Sequence, residues 1–171
     1  MRRFLAALCL GLGLAATGLS GPARAADLPE PTGPVILVVS GKIGVTNGAG
    51  TARFDRAMLE GLGITKIRTS TIWTEGTPTF TGVSLHRLME AVKADGTNLK
   101  AIALNDYTVE IPPEDWQKDA ALIAFQRDGK DMSVRDKGPL WIIYPYDSAP
   151  RFQSELTYAR SIWQLHRLRV E

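Results

Sequence analysis

One long apolar run, Phe4 to Leu19, opens the chain, and every later apolar segment is short. Val35-Ile36-Leu37-Val38-Val39 is continuous and largely β-branched, which predicts a strand buried on both faces. Phe54, Met58, Leu59 and Leu62 keep helical spacing, and Gly61 and Gly63 end that helix. Ile64 to Thr71 alternates and is β-branched, so a second strand is expected. Trp73 to Phe80, punctuated by Gly76 and Pro78, reads as a loop. Ser84 then caps a helix whose apolar face is Leu85, Leu88, Met89 and Val92, with Val83 and Leu88 as its hydrophobic staple. Beyond it the periods are those of strands: Leu99–Leu104, Tyr107–Ile111, Ala121–Gln126, Leu140–Tyr144 and Ser161–Val170. Asn105-Asp106 and Asp128-Gly129 supply turns, Pro112 to Trp116 a short helical turn, and Pro145 a stop. The pattern predicts an α+β fold, mainly β, with two main helices packed on the sheet.

The opening run has a different character. Arg2 and Arg3 precede it, Ser20-Gly21-Pro22 breaks it, and Ala23-Arg24-Ala25 is a small-x-small cleavage pattern. Its 16 residues are short of the roughly 20 that span a bilayer. Residues 1–25 are therefore expected to be a Sec-type signal peptide, cleaved after Ala25, that sends the protein to the periplasm without a stable membrane anchor. Residues 26–33, with Pro29 and Pro31, form an extended lead-in, and 34–171 a single domain.

This division changes the charge. The whole chain of 171 residues has 20 Lys+Arg against 18 Asp+Glu. Without Arg2, Arg3 and Arg24, 17 basic residues face 18 acids, a net of −1. A near-neutral chain carries no electrostatic footprint for nucleic acid. The one cysteine, Cys9, lies in the leader, so the mature chain has no disulfide and no thiol chemistry. Gly11-x-Gly13 also lies there, follows no strand, and is discarded as a dinucleotide motif. The only histidines, His86 and His166, are 80 positions apart and offer no metal-ligand spacing. Neither a Gly-x-Ser-x-Gly elbow nor a phosphate-binding Gly-x-x-x-x-Gly-Lys loop occurs.

Three polar clusters remain. Arg127 to Lys137 is either a solvated hairpin or, through Arg135 and Lys137, an anion clamp of forked and point donors. Asn105-Asp106-Tyr107 is an Asx turn or one wall of a cleft. Arg68 to Glu75 contains Trp73, which is a lid over a pocket or a core plug.

Several stretches together carry a family resemblance. They are Val35–Ile43, Phe80-Thr81-Gly82-Val83-Ser84-Leu85-x-x-Leu88, Leu104–Pro112, Arg127–Pro145 and Trp163-Gln164-Leu165. In this order they resemble the oxidoreductase molybdopterin-binding domain, the sulfite oxidase fold, in a small exported bacterial form. The resemblance covers nearly all of the mature chain. It implies a molybdenum–pterin cofactor whose metal is held by one cysteine thiolate on the loop before Gly82-Val83. Here that loop is Thr69-Ser70-Thr71-Ile72-Trp73-Thr74, without a cysteine. Neutral hydroxyls are weak replacements for a soft thiolate. The expectation is a fold kept without molybdenum catalysis, acting as a ligand-binding or protein-interaction module. Its cleft, walled by Arg68, Trp73, Tyr107, Arg135 and Lys137, would take a small anion or a loop of a periplasmic partner such as a sensor or a cytochrome. The alternative is a molybdopterin-dependent oxidoreductase, or a subunit of one, that holds pterin through Arg135 and Lys137 and passes electrons to a cytochrome.

Overall fold

The structure is a computed structural model and describes residues 28–171. The leader, Cys9, Gly11-x-Gly13 and the cleavage site lie outside the described residues. Ten strands and three short α-helices follow in the order β1 (Leu37–Gly41), β2 (Ala52–Phe54), α1 (Arg56–Gly61), β3 (Ile64–Arg68), β4 (Thr79–Ser84), α2 (Leu85–Ala91), β5 (Leu99–Ala103), β6 (Thr108–Ile111), β7 (Leu122–Arg127), β8 (Lys130–Asp131), β9 (Trp141–Ile143), α3 (Glu155–Arg160) and β10 (Leu165–Val170). The fold class is α+β, mainly β, as the periods predict. No helix among the described residues is long and apolar enough to cross a membrane.

There are two five-stranded sheets where a single sheet was expected. The first runs β2-β1-β10-β5-β6. Its β1–β10 pair is parallel, joining the first strand to the last, and its other pairs are antiparallel. The second runs β3-β4-β7-β8, with β9 also on β7. The segment before β10 stitches the two together. Trp141 bridges Trp163, Ile142 N–H donates to Ile162 O at 2.9 Å, and Leu165 N–H donates to Leu140 O at 2.9 Å. The core between the layers holds Trp141, Tyr144, Tyr146, Phe54, Phe80 and Phe125, all fully or almost fully buried.

Four expectations need correction. β1 is not buried on both faces: Leu37 and Val39 are fully buried, while Val38 and Ser40 are only half-buried. An edge-covered, two-layer sheet needs only one apolar face, and the continuous run overstated the other. Phe54 is the end of β2, not the first turn of α1. The stretch around Phe80 is the strand β4, the centre of the second sheet, paired with β3 and β7. Ser84 stands at the N-cap of α2, but its side chain makes no capping bond. The first amide of that helix, Leu85 N–H, instead donates to Ala121 O at 2.9 Å. The third helix, α3, was not expected. Of its six residues only Thr157 is buried, so it presents no apolar face whose spacing could be read.

Asp55 ties the lead-in to the domain. One carboxylate oxygen caps α1 by accepting from Met58 N–H at 2.9 Å. The other accepts from Thr32 N–H and Gly33 N–H, each at 2.8 Å. The Met58 amide first, then that of Gly33, holds this carboxyl below its ordinary pKa. A depressed carboxyl contributes stability above its unfolded pKa and loses it as pH falls through the folded value. Asp55→Asn turns an amide donor toward two N–H donors. Its melting temperature is expected to lie below that of the wild type at neutral pH, with the gap closing below about pH 4. Parallel melting curves across that range would show that the carboxylate charge is not what these amides hold.

Candidate functional site

Three connections converge on one end of the molecule. They are the loop between β3 and β4, the turn between β5 and β6, and the stretch from α3 into β10. Between them is a cavity of about 400 Å³, walled by Trp73, Tyr107, Tyr158, Trp163, Ala103, Asn105 and Gln164, among others.

Trp73 is its inner wall. The local fold turns the ring inward by hydroxyl bonding. The Thr71 and Thr74 hydroxyls are 2.7 Å apart, and Thr71 Oγ1 also accepts from Trp73 N–H at 3.0 Å. The indole then meets Trp141, Tyr158, Trp163 and Tyr146 edge-on, at centroid distances of 5.7, 5.8, 6.0 and 6.4 Å. Such edge-to-face contacts are favoured by the ring quadrupole and add about 0.5–1.5 kcal/mol each beyond burial. Trp73 packs its ring against the core aromatics and lines the cavity as a wall.

The preceding residues are just as fully engaged. Ser70 donates to Asp147 through both its backbone N–H and its hydroxyl. Asp147 N–H donates in turn to the buried Thr69 hydroxyl at 3.1 Å. The Ser70 hydroxyl, then its amide, holds the Asp147 carboxyl below its ordinary pKa. Behind the cavity, α3 is fastened by Arg160, whose guanidinium reaches Asp115 Oδ2 at 3.1 Å. Tyr144 OH donates to the same oxygen at 3.0 Å. Burial still raises the Asp115 pKa against both partners.

The five residues singled out in the sequence separate in space. Trp73 and Tyr107 line the cavity together. Lys137 stands against its wall, with its ammonium nitrogen 4.5 Å from the Trp163 ring centroid and 5.7 Å from that of Trp141. Arg135, on a 3-10 turn over Val134–Asp136, is exposed and outside the lining. Arg68, at the end of β3 opposite Thr79, is likewise exposed and outside it. Tyr158, Ser161 and Gln164 were not singled out. Tyr158 comes with the helix α3, which leaves no period to read. Trp163-Gln164 lies inside the segment Ser161–Val170 that the sequence reads as a strand, and the exposure of Trp163, 39%, appears only in the fold.

The molybdenum centre implied by the resemblance can be tested against these residues. The loop that would carry the thiolate has hydroxyls only, and those of Thr69, Ser70, Thr71 and Thr74 are bonded to one another, to the backbone or to Asp147. Among the described residues there is no cluster of three or more His, Cys, Asp or Glu suited to a metal. His86 is engaged elsewhere, 3.1 Å from Trp116 O and 3.5 Å from Glu90. The donor set does not fit molybdenum held by this chain.

No protein-family model matches the chain. No curated protein matches it either. Among solved structures, it is similar to the crystal structure of the sulfane dehydrogenase SoxCD from Paracoccus pantotrophus, with a TM-score of 0.57 and 18% sequence identity. That similarity covers 78% of this chain and 37% of SoxCD's, so the present chain spans well under half the length of the protein it matches. At this identity the likeness is one of fold. The chain has an α+β, mainly β fold of sulfite-oxidase type.

Proposed function

We propose that the protein is an exported ligand-binding module, built on an oxidoreductase-type fold but without molybdenum chemistry of its own. One observation carries the reading. The loop to which the resemblance assigns the metal ligand instead delivers Trp73 to the wall of a cavity, its hydroxyls already bonded. A cavity of about 400 Å³ is ordinary for a small-molecule site. Its rings would supply contact area, and Asn105 and Gln164 the polar contacts that orient a guest. Export to the periplasm belongs to the same proposal and rests on the leader.

The competing reading, a molybdopterin oxidoreductase that serves a cytochrome, draws on the fold shared with a sulfane dehydrogenase. Function resides in sites, not folds, so that likeness weighs less than the donor set. The two readings part on one measurement. The protein, purified from the periplasm of a molybdate-replete host, is expected to hold molybdenum and oxidised pterin at well under one-tenth of stoichiometry. Near-stoichiometric amounts of both would overturn the module reading.

A further inference from the structure

We infer that the ligand of this cavity is a small uncharged molecule built on a flat ring, one or two fused aromatic rings with a polar substituent. The inference rests on the binding-module reading above and narrows it to a chemical class.

Four aromatic rings, those of Trp73, Tyr107, Tyr158 and Trp163, form the walls, and two alanines and an isoleucine fill in between them. Tyr107 and Trp163 are exposed. So are Ile72 and Leu104, the chain neighbours of the lining residues Trp73 and Ala103. Exposed apolar side chains grouped about one cavity mark a binding surface. Aromatic walls favour a guest that is itself aromatic, because the ring quadrupole rewards stacked and edge-to-face contacts that a saturated guest does not offer. A dry apolar space of about 150 Å³ holds benzene. The space of about 400 Å³ here takes a fused pair of rings with a substituent.

The lining has no Asp, Glu, Lys, Arg or His. The charged groups on the converging segments are committed to partners outside it. Asp106, on the turn between β5 and β6, pairs with Arg167, and Arg160, at the end of α3, pairs with Asp115. Asp147, beside the Trp73 loop, accepts from Ser70 N–H at 2.6 Å. The Lys137 ammonium lies over the Trp163 ring and is not part of the lining. A carboxylate or an ammonium entering this space would give up its water without meeting a counter-ion, so the cavity discriminates against both signs of charge.

The neutral polar groups of the lining are few and partly spent. The Ser161 hydroxyl donates to Thr157 O at 2.8 Å and is bonded to Tyr146 OH. Asn105 Oδ1 accepts from Tyr107 N–H at 3.2 Å, and Gln164 Nε2 donates to Val134 O at 2.8 Å. A guest with many hydroxyls, such as a sugar, would leave most of them unmatched, whereas a ring with one polar substituent would not.

Calorimetric titration of the purified protein with probes of one size tests this. They are 2-naphthylmethanol, its saturated analogue decahydro-2-naphthylmethanol, 2-naphthoate and 2-naphthylmethylammonium, with methyl glucoside as the polyol. The naphthyl alcohol is expected to bind about tenfold or more tightly than each of the other three, with the glucoside not detectably bound. Indole N–H resonances read the location: those of Trp73 and Trp163 should shift, while that of Trp116, outside the lining, stays. Tyr107→Ala should weaken the alcohol about fivefold or more. Ile64→Ala, at the opposite end of β3 from the Trp73 loop, should leave it unchanged. Equal affinity for the alcohol and either charged probe would overturn the uncharged class. Equal affinity for the alcohol and its saturated analogue would overturn the flat ring, as would tighter binding of the glucoside. Shifts at Trp116 alone would overturn the location. Each of these results leaves the binding-module reading standing, as does the absence of binding by every probe in protein free of molybdenum and pterin, which would overturn the inference. Protein that binds none of the probes and carries near-stoichiometric molybdenum and pterin would overturn the inference and the module reading together.

Discussion

Trp141→Ala is expected to cost about 3–5 kcal/mol of folding stability, a large share of the 5–15 kcal/mol that typically holds a domain. Trp141 is fully buried on β9. Its ring meets Trp73, Phe80 and Trp163 edge-on, at 5.7, 5.5 and 6.4 Å. Its indole N–H satisfies the buried Ser161 O. Alanine would leave a void at the seam between the two sheets and an unpaired carbonyl beside it. Trp141→Phe separates the two losses. It keeps most of the ring and should cost about 1–3 kcal/mol, the penalty of the orphaned acceptor. Urea unfolding midpoints give both numbers. A loss under about 1 kcal/mol for Trp141→Ala would mean that the seam can collapse around the gap. Because Trp141 backs Trp73 and Trp163, the alanine variant should also weaken binding at the cavity without touching the ligand.

The sequence was most readable where one face of an element is buried and its length exceeds a period. Leu99–Ala103 is a strand with Leu99, Ala101 and Ala103 inward, as its alternation shows. Asp128-Gly129 turns the hairpin between β7 and β8, with Asp128 at φ 50° and Gly129 at φ 74°. The site was readable in part, since Trp73 and Tyr107 stand out as aromatic residues on turn-rich segments and meet in one cavity. The rest depends on pairing across long distances. Nothing local to Ser161–Gln164 says that it lies against β9, because that contact spans about 20 residues and follows from the parallel pairing of β1 with β10. Arg135 and Lys137 looked equivalent in a mixed-charge run. Only the left-handed turn at Lys137 separates them, laying one side chain on Trp163 and leaving the other in solvent.

Gly82 gives the second large effect. Gly82-Val83 looked like the approach to a helix, where a glycine carries little meaning. In the folded chain it is mid-strand in β4, against the point where β7 slips register. Thr81 pairs with Gln126 and Gly82 with Ala124, so Phe125 is the extra residue of a bulge. The bulge presses the β7 backbone onto Gly82. A Cβ there would sit 2.0 Å from Ile123 O and 2.7 Å from the Ala124 Cα. Both are backbone atoms in a central strand, so no rotamer change relieves the clash. Gly82→Ala is expected to cost about 3 kcal/mol or more, the upper end of overpacking penalties. Gly61→Ala is the control. It stands at the end of α1 with nothing within 4 Å of the added methyl, and alanine should be neutral or stabilising there by up to about 1 kcal/mol. Comparable urea midpoints for the two variants would mean that β4 and β7 can move apart at the bulge. A large gap between them would identify the glycine of the Gly-Val pair as a requirement of sheet packing, independent of any cofactor the fold holds in other proteins.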